Sequence, residues 1–169
     1  MLTTEQMATL KAAILAETDA GFVAARTAGN NTLMAQFYAV DATPTFYVWR
    51  KELSRHEILT RTSDDNTTFA WAAGAYITRS QGERDAFREM FNSTGSVDPS
   101  LASIQAAFND IFSGAGGAGN RAHITALSRR TVNRGERIFA TGTGTKLAPG
   151  AAGYDGTLSS DDIRNALAS

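Results

Sequence analysis

The strongest constraint on the fold of this chain is the regular return of helix-start signals. A short polar residue able to cap a helix stands at Thr3, at Thr18-Asp19 (which closes the first helix or caps a second), at Asn31, Ser54, Thr78 or Ser80, Asp98, Thr131 and Ser159, each close to apolar residues at helical spacing. A capping oxygen accepts a backbone N–H that the first helical turn leaves unpaired, so each signal carries a physical preference. Thr3 with Gln6 and Ser54 with Glu57 form capping boxes, and Leu2 is placed to staple onto Met7. Helices are expected over about 4–17, in a short segment ending near Arg26, from Asn31 through Tyr38, from Ser54 through Leu59, over roughly 79–92, after Asp98-Pro99 through Phe112, over 122–128 and 132–140, and after Ser159. Asp98-Pro99 is the best of these starts, an acid at the cap followed by proline in the first helical position.

The breaks are equally marked. Pro44 biases Thr43 away from helix, and the run Phe46-Tyr47-Val48-Trp49 reads as extended or irregular, packed by its aromatics. Residues 69–76 stay unassigned. Ser113 to Gly119 reads as a flexible glycine-alanine loop, and glycines at 142, 144, 150, 153 and 156 mark a long loop or arm. The expected fold class is mainly α: a small helical bundle with an irregular aromatic segment and a long Gly-rich arm near the C-terminus. Residues 1–141 form the helical domain. Residues 142–169 form the arm plus a short C-terminal helix packing on that domain or on a neighbour.

A chain of 169 residues with 43% hydrophobic residues is long enough to bury a core. It contains no cysteine, so disulfides, thiolate metal sites and cysteine nucleophiles are excluded. The start lacks the basic and apolar regions of a signal peptide, and no apolar run approaches the ~20 residues that span a bilayer, so a soluble protein is expected. Gly114 to Gly119 matches the dinucleotide-loop pattern, but a helix, not a strand, leads into it. Gly142-Thr143-Gly144-Thr145-Lys146 lacks the spacing of a phosphate loop. His56-Glu57 has Thr60 where a zinc helix places its second histidine, and His123 reads as a helix-surface or interface residue. The acid pairs Asp64-Asp65 and Asp161-Asp162 read as structural, the second in a first helical turn. No catalytic residue, metal or cofactor is expected.

The net charge of −1 hides an uneven distribution: Arg121, Arg129, Arg130, Arg134 and Arg137 fall in one stretch opposed only by Glu136. Guanidinium forks suit carboxylates and phosphates alike. Three readings stay open: a solvated face, a surface for an acidic protein partner, and a DNA contact, the last giving a small helical DNA-binding regulator that uses the Arg121–Arg137 stretch.

Four strings, in order, carry a resemblance: Leu2 to Ile14, Phe46-Tyr47-Val48-Trp49-Arg50, Thr131 to Thr145 (TVNRGERIFATGTGT), and Gly156-Thr157-Leu158-Ser159 before Asp162-Ile163. In layout the chain resembles the small helical head–tail adaptor (connector) proteins of tailed bacteriophages. The resemblance implies a structural virion protein of the head–tail neck, assembled in the host cytoplasm. It would be a ring of identical subunits beneath the portal protein that meets tail or other neck proteins and lines the DNA exit channel, with possible non-specific contact to packaged DNA and no membrane. The interface residues it implies are Trp49, Arg50, Arg121, Arg129, Arg130, Arg134 and Lys146.

Overall fold

A computed structural model describes residues 2–72 and 75–169. The protein is mainly helical, with 51% of it in helices, as the capping signals lead one to expect. Of the unassigned segment 69–76, Ala73 and Gly74 lie outside the described residues. The chain divides into two compact units, one built from residues 1–48 with 131–169 and the other from 49–130. Residues 142–169, set apart by their composition, thus belong to the first unit.

Unit 1 holds α1 (Thr4–Ala16), α2 (Ala20–Thr27), α3 (Asn31–Ala39), α8 (Arg134–Phe139) and α9 (Ser160–Ala168). The α1 start is the capping box expected from sequence, with the Thr3 hydroxyl accepting the Gln6 N–H and the Gln6 amide oxygen accepting that of Thr3. Ser159 and Asp162 cap α9 in the same way, so Asp162 serves as a structural carboxylate. Asp19 caps α2, and Asn30, one residue earlier than expected, caps α3. Leu10 and Ile14, four apart on α1, are sealed against Phe22, Met34, Tyr38, Phe139 and Ile163. Leu15, on the other side of the stripe, is 58% exposed.

Unit 2 holds β2 (Leu53–Ser54), α4 (Arg55–Thr60), α5 (Gln81–Glu89), β3 (Ser96–Val97), α6 (Ala102–Ile111) and α7 (Gly114–Leu127). The chain enters this unit through β1 (Tyr47–Trp49) and leaves it through β4 (Arg129–Thr131). β2 and β3 pair antiparallel, Leu53 opposite Val97. The core is aromatic: Phe69, Tyr76, Phe87, Phe91, Phe108 and Phe112 meet mostly edge-to-face or tilted, with Phe69–Phe87 stacked, at centroid distances of 5.4–6.5 Å.

Three local expectations give way to tertiary structure. The glycine-alanine stretch is the first part of α7, not a loop. Glycine costs a helix about 1 kcal/mol per residue relative to alanine, so long-range contacts must hold this one. They come from Asn120, whose amide exchanges two hydrogen bonds with the Ala70 backbone at 2.7 and 3.1 Å, and from His123. At Gly117 a Cβ would lie 1.9 Å from the Phe112 carbonyl oxygen, so only glycine admits the approach of the two backbones. Asp98-Pro99 does not open α6: the Asp98 carboxylate accepts the Ser100 N–H in a turn, and the helix begins at Ala102. Thr131 lies in β4, and the cap of α8 is Asn133, boxed with Glu136.

Candidate binding cavity

In unit 1 the short helix α8 carries Arg134 and Arg137 three residues apart, on one face. Each guanidinium lies over an aromatic ring supplied from elsewhere: Arg134 over Phe37 of α3 at 4.3 Å, and Arg137 over Phe46 at 3.9 Å. A cation over a ring gains about 0.5–1 kcal/mol when exposed and about 2 when desolvated. Phe46 is itself wedged from its other neighbours by the Gly-rich segment. A Cβ on Gly144 would lie 2.0 Å from its ring, and one on Gly150 would lie 2.9 Å away. Backbone bonds lock the approach: the Tyr47 N–H donates to Gly144 and the Gly150 N–H to Tyr47, both at 2.8 Å. The Val132 N–H donates to the Phe46 carbonyl.

These residues border a cavity of about 710 Å³, whose lining also includes Glu17, Asp19, Tyr38 and Thr45. That volume is in the range of small-ligand sites, about 300–1,000 Å³. Glu17 and Asp19 are partly committed: one Glu17 oxygen accepts the N–H groups of Thr18 and Asp19 at 2.8 and 3.0 Å, and Asp19 accepts that of Phe22. Tyr38 is 3% exposed, and among the described residues its buried hydroxyl has no hydrogen-bond partner. Burial pushes the phenol up to about 12; Glu17 adds to the rise and Arg26 opposes it.

The seven expected interface residues scatter over both units. Trp49 is half-buried. Arg50 binds Glu57 at 2.9 Å and the Leu127 carbonyl at 3.0 Å. Burial disfavours the Glu57 carboxylate, but the Ser54 N–H and the Arg50 guanidinium outweigh it and hold the carboxyl below its usual range. Arg121 donates to the carbonyls of Phe112 and Gly114 around the α6–α7 junction. Arg129 overturns the surface reading. Its side chain is 2% exposed and pairs with Asp64 and Asp65. Reversing its charge would press a carboxylate against two others and would not leave the fold intact. Arg130 is half-buried, Arg134 lines the cavity, and Lys146 lies 6.0 Å from the Tyr47 ring.

His123 is buried, not a surface residue. Its Nε2 lies 2.9 Å from the Ile58 carbonyl, to which it donates, and its Nδ1 lies 3.2 Å from the Thr67 hydroxyl. The Thr67 and Ser63 hydroxyls are 2.6 Å apart, continuing the chain of bonds. Nothing in the local sequence marks Phe37, Phe46 or Tyr38 as cavity residues; the usable hints are the i, i+3 spacing of Arg134 and Arg137 and the aromatic run beginning at Phe46. Among the described residues no group of three or more acidic or histidine side chains is placed to hold a metal, and no helix is long and apolar enough to cross a membrane. Compared with protein-family models, with curated proteins and with solved structures, the chain matches none.

Proposed function

We propose that this chain is a structural protein of a tailed-phage particle: a head–tail adaptor that forms a ring beneath the portal protein, meets the tail or other neck proteins, and lines the DNA exit channel. It is assembled in the host cytoplasm and resides in the virion neck. The order of the four sequence strings supports the family, and Leu147 carries the assembly reading. This leucine is 89% exposed. It sits at the tip of a defined turn, in which the Thr145 N–H donates to the Ala148 carbonyl at 3.1 Å and the Ala148 N–H to the Thr145 hydroxyl at 3.0 Å. A lone protomer gains nothing by ordering an apolar tip in water, whereas a partner that covers it gains the transfer energy of a leucine, about 1.5–3 kcal/mol. In this reading 142–156 acts as an arm, its base held on Phe46 and its tip engaging a neighbouring subunit.

Light scattering and electron-microscope class averages of the protein alone and with portal rings test the proposal. A protomer that forms a ring on the portal supports it, and Leu147→Ser should then reduce ring formation while leaving the circular dichroism spectrum unchanged. A protein that ignores the portal overturns the adaptor reading; rings formed equally well by Leu147→Ser overturn the role of the tip.

A further inference from the structure

The arginines of α8 present unused hydrogen-bonding capacity. The guanidinium carbons of the two groups lie over the rings of Phe37 and Phe46 at 4.3 and 3.9 Å, a contact with a ring face that does not itself consume an N–H donor. Among the described residues no side-chain hydrogen bond or ion pair joins either group to a protein acceptor, whereas the arginines at 50, 79, 121 and 129 are bonded to carboxylates or carbonyls; Arg134 is half-buried and Arg137 exposed. Thr43 and Thr45, both exposed, and Tyr38 line the same cavity; among the described residues the buried Tyr38 hydroxyl has no hydrogen-bond partner. Two guanidinium groups held over rings on the wall of one cavity are placed to receive an oxyanion. Little side-chain entropy remains to be lost when an acceptor arrives.

The other walls bear on which oxyanion fits. Glu17 and Asp19 balance the two arginines, so the formal charge of the lining sums to zero, and among the described residues each acid has one oxygen without a hydrogen-bond donor. A dianionic phosphate would meet two carboxylates as well as two guanidiniums. With the formal charge of the lining at zero, ligand charge does not decide among oxyanions, and the planar carboxylate is favoured by its match to the arginine fork. Ala13, Ala42, Pro44 and Ile138 give the cavity an apolar surface for the body that carries it. We propose that the unit 1 cavity binds a carboxylate borne on a compact apolar body, with Arg134 and Arg137 taking the carboxylate. A free small acid and the C-terminal end of a peptide share this chemistry. The site stands independently of portal docking.

The test titrates the full-length protein with N-acetyl-leucine, which offers the carboxylate and an apolar body, and with leucinamide, which lacks the carboxylate. Inorganic phosphate is the third probe, and acetyl-Ala-Ala-Leu, compared with its C-terminal amide, is the peptide arm. Calorimetry and the arginine Nε–H resonances in NMR spectra serve as readouts. The expected result is saturable binding of N-acetyl-leucine or of the peptide acid, with two arginine Nε–H signals moving. Leucinamide and the peptide amide should show no binding, and phosphate should bind more weakly. Arg134→Gln with Arg137→Gln should weaken the carboxylate by about tenfold or more, the loss of at least one charge-assisted hydrogen bond. The tighter of the two acids identifies the source. Failure of both acids to saturate, phosphate binding as tight as theirs, or an unchanged affinity in the double variant would each overturn the proposal. The Nε–H shifts in the unmodified protein read the contact even where the double variant folds poorly.

Discussion

Gly144→Ala should destabilise unit 1 and weaken its cavity at once, and Gly29→Ala separates the two causes. Both glycines have positive φ, 67° at Gly29 and 64° at Gly144, but a Cβ at Gly29 meets nothing within 4 Å, whereas at Gly144 it falls 2.0 Å from the Phe46 ring. Left-handed backbone costs a non-glycine residue about 1–2 kcal/mol, and the stiffer unfolded chain returns about 0.4–1, so Gly29→Ala should cost about 1 kcal/mol. At Gly144 the overpacking adds about 1–3 kcal/mol, for a total of about 2–4, because the Tyr47 hydrogen bond stops the loop from backing away. Relief must then come from Phe46, which moves it from under Arg137. Urea unfolding followed by far-ultraviolet circular dichroism measures the cost; both tryptophans, Trp49 and Trp71, belong to unit 2, so their fluorescence serves as the reference signal. If the two variants differ by less than about 0.5 kcal/mol, the ring–glycine wedge does not hold the loop.

Other perturbations have equally definite outcomes. His123→Leu leaves the Ile58 carbonyl and Thr67 hydroxyl of unit 2 without their partner and should cost about 1–3 kcal/mol, read from the urea midpoint of tryptophan fluorescence; an unchanged midpoint refutes the buried-bridge role. Asp64→Asn with Asp65→Asn takes two paired carboxylates from the buried Arg129 cation and should cost about 3–5 kcal/mol, more than Arg129→Met, which removes the buried charge itself; the reverse order refutes the argument. Tyr38→Phe removes an unpartnered buried hydroxyl and should be neutral or stabilising at pH 7. Because the folded phenol is raised to about 12 from an ordinary 10.0, its contribution is intact below pH 10 and is lost as pH climbs towards 12. Tyr38→Phe should therefore lose less stability than the wild type on going from pH 9 to 11, and equal losses would contradict that assignment.

What the sequence discloses is what neighbours along the chain decide. The boxes Thr3–Gln6 and Ser54–Glu57 and the cap at Ser159 each close within four residues, so their meaning survives without the rest of the fold. Pattern fails where a distant residue casts the deciding vote. Gly114 to Gly119 is helix because Asn120 and His123, further along the same helix, are bonded to residues 58–70. Asp98-Pro99 has every local mark of a helix start, yet Ser100 takes the aspartate oxygen first and the helix opens later. The cavity is less legible still, since its floor joins Phe46 to Gly144 across almost a hundred residues.

The arginine-rich stretch shows why charge density in a sequence is a poor guide to a surface. Arg121 spends its donors on the carbonyls of Phe112 and Gly114, and Arg129 is buried against Asp64 and Asp65. These two stabilise unit 2, and a nucleic-acid partner would have to compete with acceptors already in place. Arg134 and Arg137 differ because the fold gives them aromatic faces to lie on in place of acids to pair with. A ring fixes a guanidinium without consuming its N–H groups, so stacking, unlike a salt bridge, leaves the donors available to an incoming acceptor. Phe46 thereby couples fold to binding: the glycines that let the loop close on it hold it where Arg137 can stack, and the carboxylate site depends on that closure.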